Sequence, residues 1–203
     1  LVVYEYKQED RANVREPVYD PNRNVSANRY IKRIYYGYQT PYEAAKGTLP
    51  EDWHFQVVFD YGEHSESQPA VEEETLWDSR IDAFSTYRSR FEIRTLRRCR
   101  RILMFHRFDE LGEEPCLVRS TDFTYSDGKA NETDYVSLSF LASATVSGYI
   151  RHDHGYEKKS MPSLEFEYSQ PVVDERVQWT NDIHKTAFPH HLNEGKRQWV
   201  DLD

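Results

Sequence analysis

Tyr30-Ile31-Lys32-Arg33-Ile34-Tyr35 is followed, after an excursion, by Val57-Val58-Phe59-Asp60-Tyr61, and the same plan recurs twice more. Ile102-Leu103-Met104-Phe105 precedes Ser120-Thr121-Asp122-Phe123-Thr124-Tyr125, and Phe140-Leu141-Ala142-Ser143-Ala144-Thr145-Val146 precedes Leu164-Glu165-Phe166-Glu167-Tyr168. Val2-Val3-Tyr4-Glu5-Tyr6 opens the chain as a half unit. Each segment is short, β-branched or aromatic, and ends at turn residues, which reads as a strand. Hairpins that each expose an apolar row must stack on neighbours to bury it. The expected fold is all-β: an antiparallel sheet of repeated long hairpins, a shell or sandwich section, with long polar loops and little helix.

Within the first unit, alternation places Tyr30, Lys32, Ile34 and Tyr36 on one face and Ile31, Arg33 and Tyr35 on the other. Rings on both sides suit a sheet covered in part on both. Trp53, Phe55, Val57, Phe59 and Tyr61 alternate with His54, Gln56 and Asp60, the most one-sided pattern in the chain. The expected core comprises Tyr4, Tyr6, Tyr30, Ile34, Phe55, Val57, Phe59, Tyr61, Phe91, Ile93, Leu103, Phe105, Phe123, Tyr125, Leu141, Phe166 and Tyr168. Between the strands, Tyr42 to Lys46 fits one helical turn capped by Gly47. Glu63 to Trp77 is acidic and turn-rich and reads as a surface loop. Phe84–Thr95 and Arg97–Phe108 read as two adjacent strands, Asp109–Glu114 as a tight reversal, and Arg151–Ser160 as a charged tip.

The hydrophobic share is 38% and charged residues reach 30%, so much of the sheet or its loops must face water. A formal charge of −9 disfavours general affinity for nucleic acid or an anionic membrane, which need positive surface. Arg88 to Arg107 breaks that balance with eight arginines against the single carboxylate of Glu92. The expectation is that these point to solvent or to acids such as Glu72, Glu73 and Glu74. No apolar run approaches the roughly 18 residues of a membrane span.

Cys99 and Cys116 are too few for a disulfide framework or a zinc site and read as buried free thiols. His152-Asp153-His154 and His190-His191 lie in expected loops without a third partner, so no metal site is assigned. No Gly-x-Ser-x-Gly turn, glycine-rich phosphate loop or assignable carboxylate pair occurs, so no catalytic residue, no cofactor and no enzyme activity is assigned. Asp201 and Asp203 resemble the beginning of a calcium-chelating loop whose remainder falls beyond the sequence. Opening in mid-strand and stopping at Trp199–Asp203, the chain reads as one section of a longer polypeptide. Exposed tyrosines could also stack on sugars, which leaves a carbohydrate-binding module for host attachment as the alternative function.

Several phrases together resemble one family: Val3-Tyr4-Glu5-Tyr6-Lys7-Gln8-Glu9-Asp10, Asn28 through Gly37, Val57 through His64, Phe91 through Thr95, Cys99 through His106, and Leu117 through Phe123. They look like the middle, N-terminal-side region of the B component of insecticidal Tc toxin complexes, a family that also carries an SpvB-like N-terminal part. Gln198–Asp203 resembles the start of the Asp-rich repeat that follows, so residues 1–203 would be a single β-rich middle region with 196–203 opening that repeat. The resemblance implies a structural part of a hollow β-sheet shell, or of its junction with a propeller. Implied partners are the rest of the same chain, including propeller and Rhs-like shell, the toxin C component, and the toxin A component through the complex. It further implies a secreted, extracellular location, no contact with nucleic acid or membrane by this segment, and catalysis only in the C component.

Overall fold

The computed structural model describes residues 1–14, 20–127 and 139–169. The chain divides into a unit Leu1–Glu167 and a unit Tyr168–Asp203. All but Tyr168 and Ser169 of the second lie outside the described residues, as do His190, His191, Asp201 and Asp203. The first unit is nearly all antiparallel sheet, as the hairpin recurrence predicts.

Ten strands follow in order: β1 (Val2–Gln8), β2 (Arg29–Tyr38), β3 (Trp53–Asp60), β4 (Phe84–Thr86), β5 (Ile93–Thr95), β6 (Arg101–His106), β7 (Cys116–Asp127), β8 (Ser139–His152), β9 (Gly155–Ser160) and β10 (Leu164–Glu165). The main sheet runs β1-β2-β3-β6-β7-β8-β10, with β9 also on β8, while β4 and β5 form a separate hairpin. All three hairpin units pair as expected: β2 with β3, β6 with β7, and β8 with β10. The return strand on β8 is nearly continuous, because Met161 N–H donates to the Val146 carbonyl between β9 and β10. Pro162, which has no N–H, falls where it breaks. Among the described residues no strand pairs with the outer side of β1 or of β9 and β10.

Local readings hold with changes. Gly47 adopts a left-handed φ of 66° and its N–H bonds the Ala44 carbonyl, capping a turn that is a 3-10 helix over Ala44–Lys46 only. The single strands expected over 84–95 and 97–108 are shorter, because a turn at 87–90 folds the first into the β4–β5 hairpin, with Arg90 N–H on the Tyr87 carbonyl. The charged tip expected at 151–160 is strand β9, its reversal confined to Asp153 and His154.

The faces differ most from the expectation. Residues directly opposite in an antiparallel ladder share a face. One row therefore reads Glu5, Arg33, Val58, Leu103, Ser120, Ser147, Ser160, and the neighbouring row reads Tyr4, Ile34, Val57, Met104, Arg119, Gly148. Val58, Leu103, Ser120 and Ser147 are buried, whereas Ile34, Val57 and Met104 are half-buried and Tyr4 and Arg119 exposed. On β3 Gln56, Val58 and Asp60 are buried along with Trp53, while Phe55, Val57 and Phe59 stay partly open, so past Trp53 burial runs against the hydrophobic pattern. Of the expected core, Tyr30, Tyr61, Leu103 and Phe105 are buried, while Tyr4, Tyr6, Phe91, Phe166 and Tyr168 are exposed.

The cause is the segment after β3. Residues 61–77, among them the 63–77 stretch expected at the surface, cover one face of the sheet with Tyr61, Glu63, His64, Val71 and Trp77 buried. Val71 packs with Val58, Leu103, Phe105 and Leu117, and Trp77 packs with Tyr30 and Tyr61. Tyr30 and Trp77 meet edge to face with centroids 5.5 Å apart. Leu103, fully buried at the centre of the first cluster, sets a direct check. Leu103→Ala is expected to lower unfolding free energy by about 3 kcal/mol, from lost transfer energy plus a cavity. Chemical denaturation followed by circular dichroism reads that as a lower midpoint at constant slope.

Candidate functional site

The densest polar chemistry lies under the covering segment, and a register irregularity builds it. Glu5 pairs with Arg33 but Tyr6 with Ile31, so Lys32 is skipped as the extra residue of a β-bulge. The bulge breaks strict alternation, and adjacent Arg33 and Lys32 both reach the covering segment. Arg33 Nη2 donates to the Val71 carbonyl, while Lys32 Nζ donates to Glu63 Oε1, to the Phe59 carbonyl at 3.2 Å and to His64 Nε2 at 2.8 Å. Lys32, Glu63 and His64 are all buried, at 1%, 0% and 4% exposure.

His64 is held on both sides of its ring. Nδ1–H donates to the Ala70 carbonyl at 3.0 Å, which leaves Nε2 as the acceptor facing Lys32. Burial and the adjacent Lys32 charge keep the imidazole below its ordinary pKa. Asp60 Oδ2 receives Arg101 Nε at 2.6 Å, and Oδ1 receives the Gly62 N–H at 2.8 Å. Burial works to raise the Asp60 pKa, but Arg101 and the Gly62 N–H bring it below the usual range. Arg101 Nη2 also reaches the His64 and Ser65 carbonyls, tying β6 to the cover.

Arg97 and Glu9 form a second buried pair, both side chains fully shielded from solvent. The arginine run therefore finds acids at Glu9, Asp60 and, through Arg100, Asp78. Glu73 instead pairs with Lys7 and Lys32. Arginine positions within one short run are thus satisfied by carboxylates just after β1, in β3 and just after the cover, which spacing along the chain cannot reveal.

An open polar groove of about 470 Å³ runs beside this network, lined by residues including Asp60, His64, Arg98, Arg100, Arg101, Asp122 and Lys158. Lys158 Nζ lies 3.3 Å from Asp122, and the Arg98 guanidinium 4.3 Å from the Tyr125 ring centroid. These two pairings hold β9 and the segment before β6 against β7, while the Lys32, Arg33 and Arg101 bonds fix the cover to the sheet. His152 and His154 sit at the exposed β8–β9 turn, where His152 Nε2 approaches Glu157 at 3.4 Å. Among the described residues no group of three or more His, Cys, Asp or Glu side chains is placed to hold a metal. Cys116 pairs with His106 in the ladder, at the opposite end of β6 from Cys99, so the thiols do not face each other and both are free. Burial and Asp60 push the Cys99 thiol up to about 12.

The family described as SpvB, Salmonella virulence plasmid 65kDa B protein, matches residues 1–108, more than half of the chain. The chain belongs to the SpvB family. Within it, the mono(ADP-ribosyl)transferase SpvB of Salmonella typhimurium is 40% identical over 134 residues, covering 62% of this chain and 23% of the relative. The SpvB of Salmonella choleraesuis is 39% identical over the same length. This chain thus spans under a quarter of those curated relatives, and the activity in their name belongs to the whole proteins. Among solved structures, the N-terminal domain of effector protein SpvB from Salmonella typhimurium strain LT2 superimposes with a TM-score of 0.62 at 35% identity. That match covers 73% of this chain and 47% of that one. TcdB2-TccC3 superimposes with a TM-score of 0.67 at 30% identity, over 82% of this chain and 8% of that one. The Photorhabdus luminescens Tc holotoxin pore gives 0.67 at 31% over the same shares. This SpvB-family sheet is thus of the kind found in toxin-complex structures.

Proposed function

We propose that this SpvB-family region is a structural section of a toxin-complex B subunit, contributing β-sheet to the shell around the toxic cargo or to its junction with the propeller. The observation that carries the reading is a broad sheet whose two outer sides have no partner strand among the described residues, and which matches 82% of its own length to only 8% of TcdB2-TccC3. A sheet with two free edges is a segment of a wall, because unpaired edge groups seek another strand. In this reading the whole 1–203 section is one β-rich region, with 196–203 opening an Asp-rich repeat. It contacts the rest of its own chain, the C component and, through the complex, the A component, and it acts outside the producing cell. Its contribution is enclosure, with no reacting centre of its own.

The test is protease protection of the C-component cargo in the assembled B–C complex. Tyr4→Asp with Tyr6→Asp, on the open edge of β1, is expected to make the cargo cleavable while wild type protects it. Full protection by the variant overturns the reading. Exposure of Tyr4 and Tyr6 at 55% and 56% favours the second reading, a carbohydrate-binding module. Reproducible glycan binding lost on Tyr6→Ala would establish it.

A further inference from the structure

The covered side of the sheet holds both the Lys32–Glu63 network and the Val58–Leu103–Phe105–Leu117 cluster, and the opposite side is left partly open. On that open side Tyr4, Ile34, Tyr36, Phe55, Val57 and Met104 form adjoining cross-strand rows, with Tyr36 and Phe55 stacked at 4.9 Å. None of these six is buried, whereas the alternate residues Gln56, Val58, Leu103 and Phe105 are. At the far edge of the same side Leu164, opposite Ala144 in line with Phe123, is 62% exposed. Contiguous apolar surface beyond roughly a few hundred Å² marks a contact surface in soluble proteins.

We infer that the open face is covered by a second apolar β layer supplied by the same polypeptide outside residues 1–203. Two observations choose this occupant. The solved SpvB N-terminal domain is matched by this chain over only 47% of its length, so a domain of this family holds about as much chain again that must pack somewhere. Two sheets facing each other about 10 Å apart, inner rows interdigitated, are the usual way a twisted apolar face is buried. A second copy of this section is the poorer occupant, since each carries a formal charge of −9. The inference is independent of the shell reading: a wall can stand with one face bare, and cargo protection is measured separately.

The experiment uses the complete natural polypeptide containing this region. Met104→Cys and Val57→Cys are compared with Glu66→Cys, on the exposed cover, for reaction with a water-soluble maleimide. The unsubstituted protein supplies the background of Cys99 and Cys116. In the native state Met104→Cys and Val57→Cys should react at least roughly 100-fold more slowly than Glu66→Cys, and all three equally in denaturant. A benzophenone amino acid at position 36 should cross-link within the same polypeptide, to residues outside this section. Rates equal to Glu66→Cys overturn the inference. So do cross-links joining two copies or another protein, and so does a failure to cross-link.

Discussion

Arg97→Met is expected to lower the unfolding free energy by about 3–5 kcal/mol, the loss typical of a buried pair stripped of one partner. Arg97 and Glu9 are both fully buried, and the guanidinium fork meets the carboxylate with Nε–Oε2 at 2.9 Å and Nη2 on Oε1. Nη1 donates to the Trp77 carbonyl at 3.1 Å, and the guanidinium lies 4.3 Å from the Trp77 ring centroid. Removing it leaves Glu9 in a site with no solvent and, among the described residues, the Arg11 N–H at 2.8 Å as its remaining donor. The cost comes from the stranded carboxylate rather than from the worth of the pair, so the double variant Arg97→Met, Glu9→Leu should recover a large part of the loss. What remains should be near the net worth of the two hydrogen bonds lost at the Trp77 carbonyl and the Arg11 N–H, about 1 kcal/mol each. Urea denaturation of the wild type, both single variants and the double variant completes the cycle. A single-variant midpoint unmoved from wild type sinks the assignment, and strict additivity in the double variant sinks the mechanism.

The same residues show where reading the chain succeeds and where it stops. Strand pairing is legible because it depends on local properties: Ile102–Phe105 and Ser120–Tyr125 carry the ring and β-branched content, and Gly112, with φ 95°, supplies the reversal between them. Sidedness is less legible, because it depends on partners. The alternation of Phe55, Val57 and Phe59 with Gln56 and Asp60 marks two faces but not which is inside. Asp60 can be buried only because Arg101, 41 residues away, reaches it, and Gln56 accepts from Arg107, 51 residues away. The bulge at Lys32 leaves no mark in composition, yet it undoes the predicted face assignment of Tyr30 and Lys32 relative to Ile34. The acidic 63–77 stretch misleads for a related reason. Two of its five carboxylates, Glu63 and Glu73, are the counterions of buried Lys32, and in sequence it is Val71 and Trp77 that betray a cover. His152-Asp153-His154 has the spacing of a ligand pair and falls on an exposed turn, while His64 has no such spacing and sits in the densest network. Proximity among Lys32, Glu63 and His64 comes from the fold and from no motif.

That network should make the protein acid-labile in two steps, the larger variant effect being Lys32→Met. His64 has a folded pKa below the ordinary 6.5, from burial and from Lys32. Below about 6.5 the unfolded chain takes up a proton that the folded chain refuses, so stability falls on acidification from there to the folded pKa, by at most about 1.4 kcal/mol per pH unit for this group. His106, lowered by burial, contributes in the same sense. The groups facing His64 are Lys32 from β2, Asp60 and Arg101 from β3 and β6, and Glu63 and the Ala70 carbonyl from the cover. Asp60 and Glu73 have folded pKa values below their ordinary 3.8 and 4.5, burial opposing and Arg101 or Lys7 and Lys32 prevailing. Their stabilisation is complete above the unfolded values and is lost as pH falls through the folded ones, a second step below about 4.5. His64→Gln keeps an acceptor for Lys32 without a titrating ring, so it should flatten the upper step, with the remainder removed by His106→Gln, and leave the lower step intact. Lys32→Met strands the buried Glu63 carboxylate without its cation and should cost about 3–5 kcal/mol at neutral pH. It also removes the charge that depresses His64, so the upper step should shrink. Denaturation midpoints from pH 8 to 3 on the three proteins decide it: an upper step that survives both His64→Gln and His106→Gln places the titrating group elsewhere.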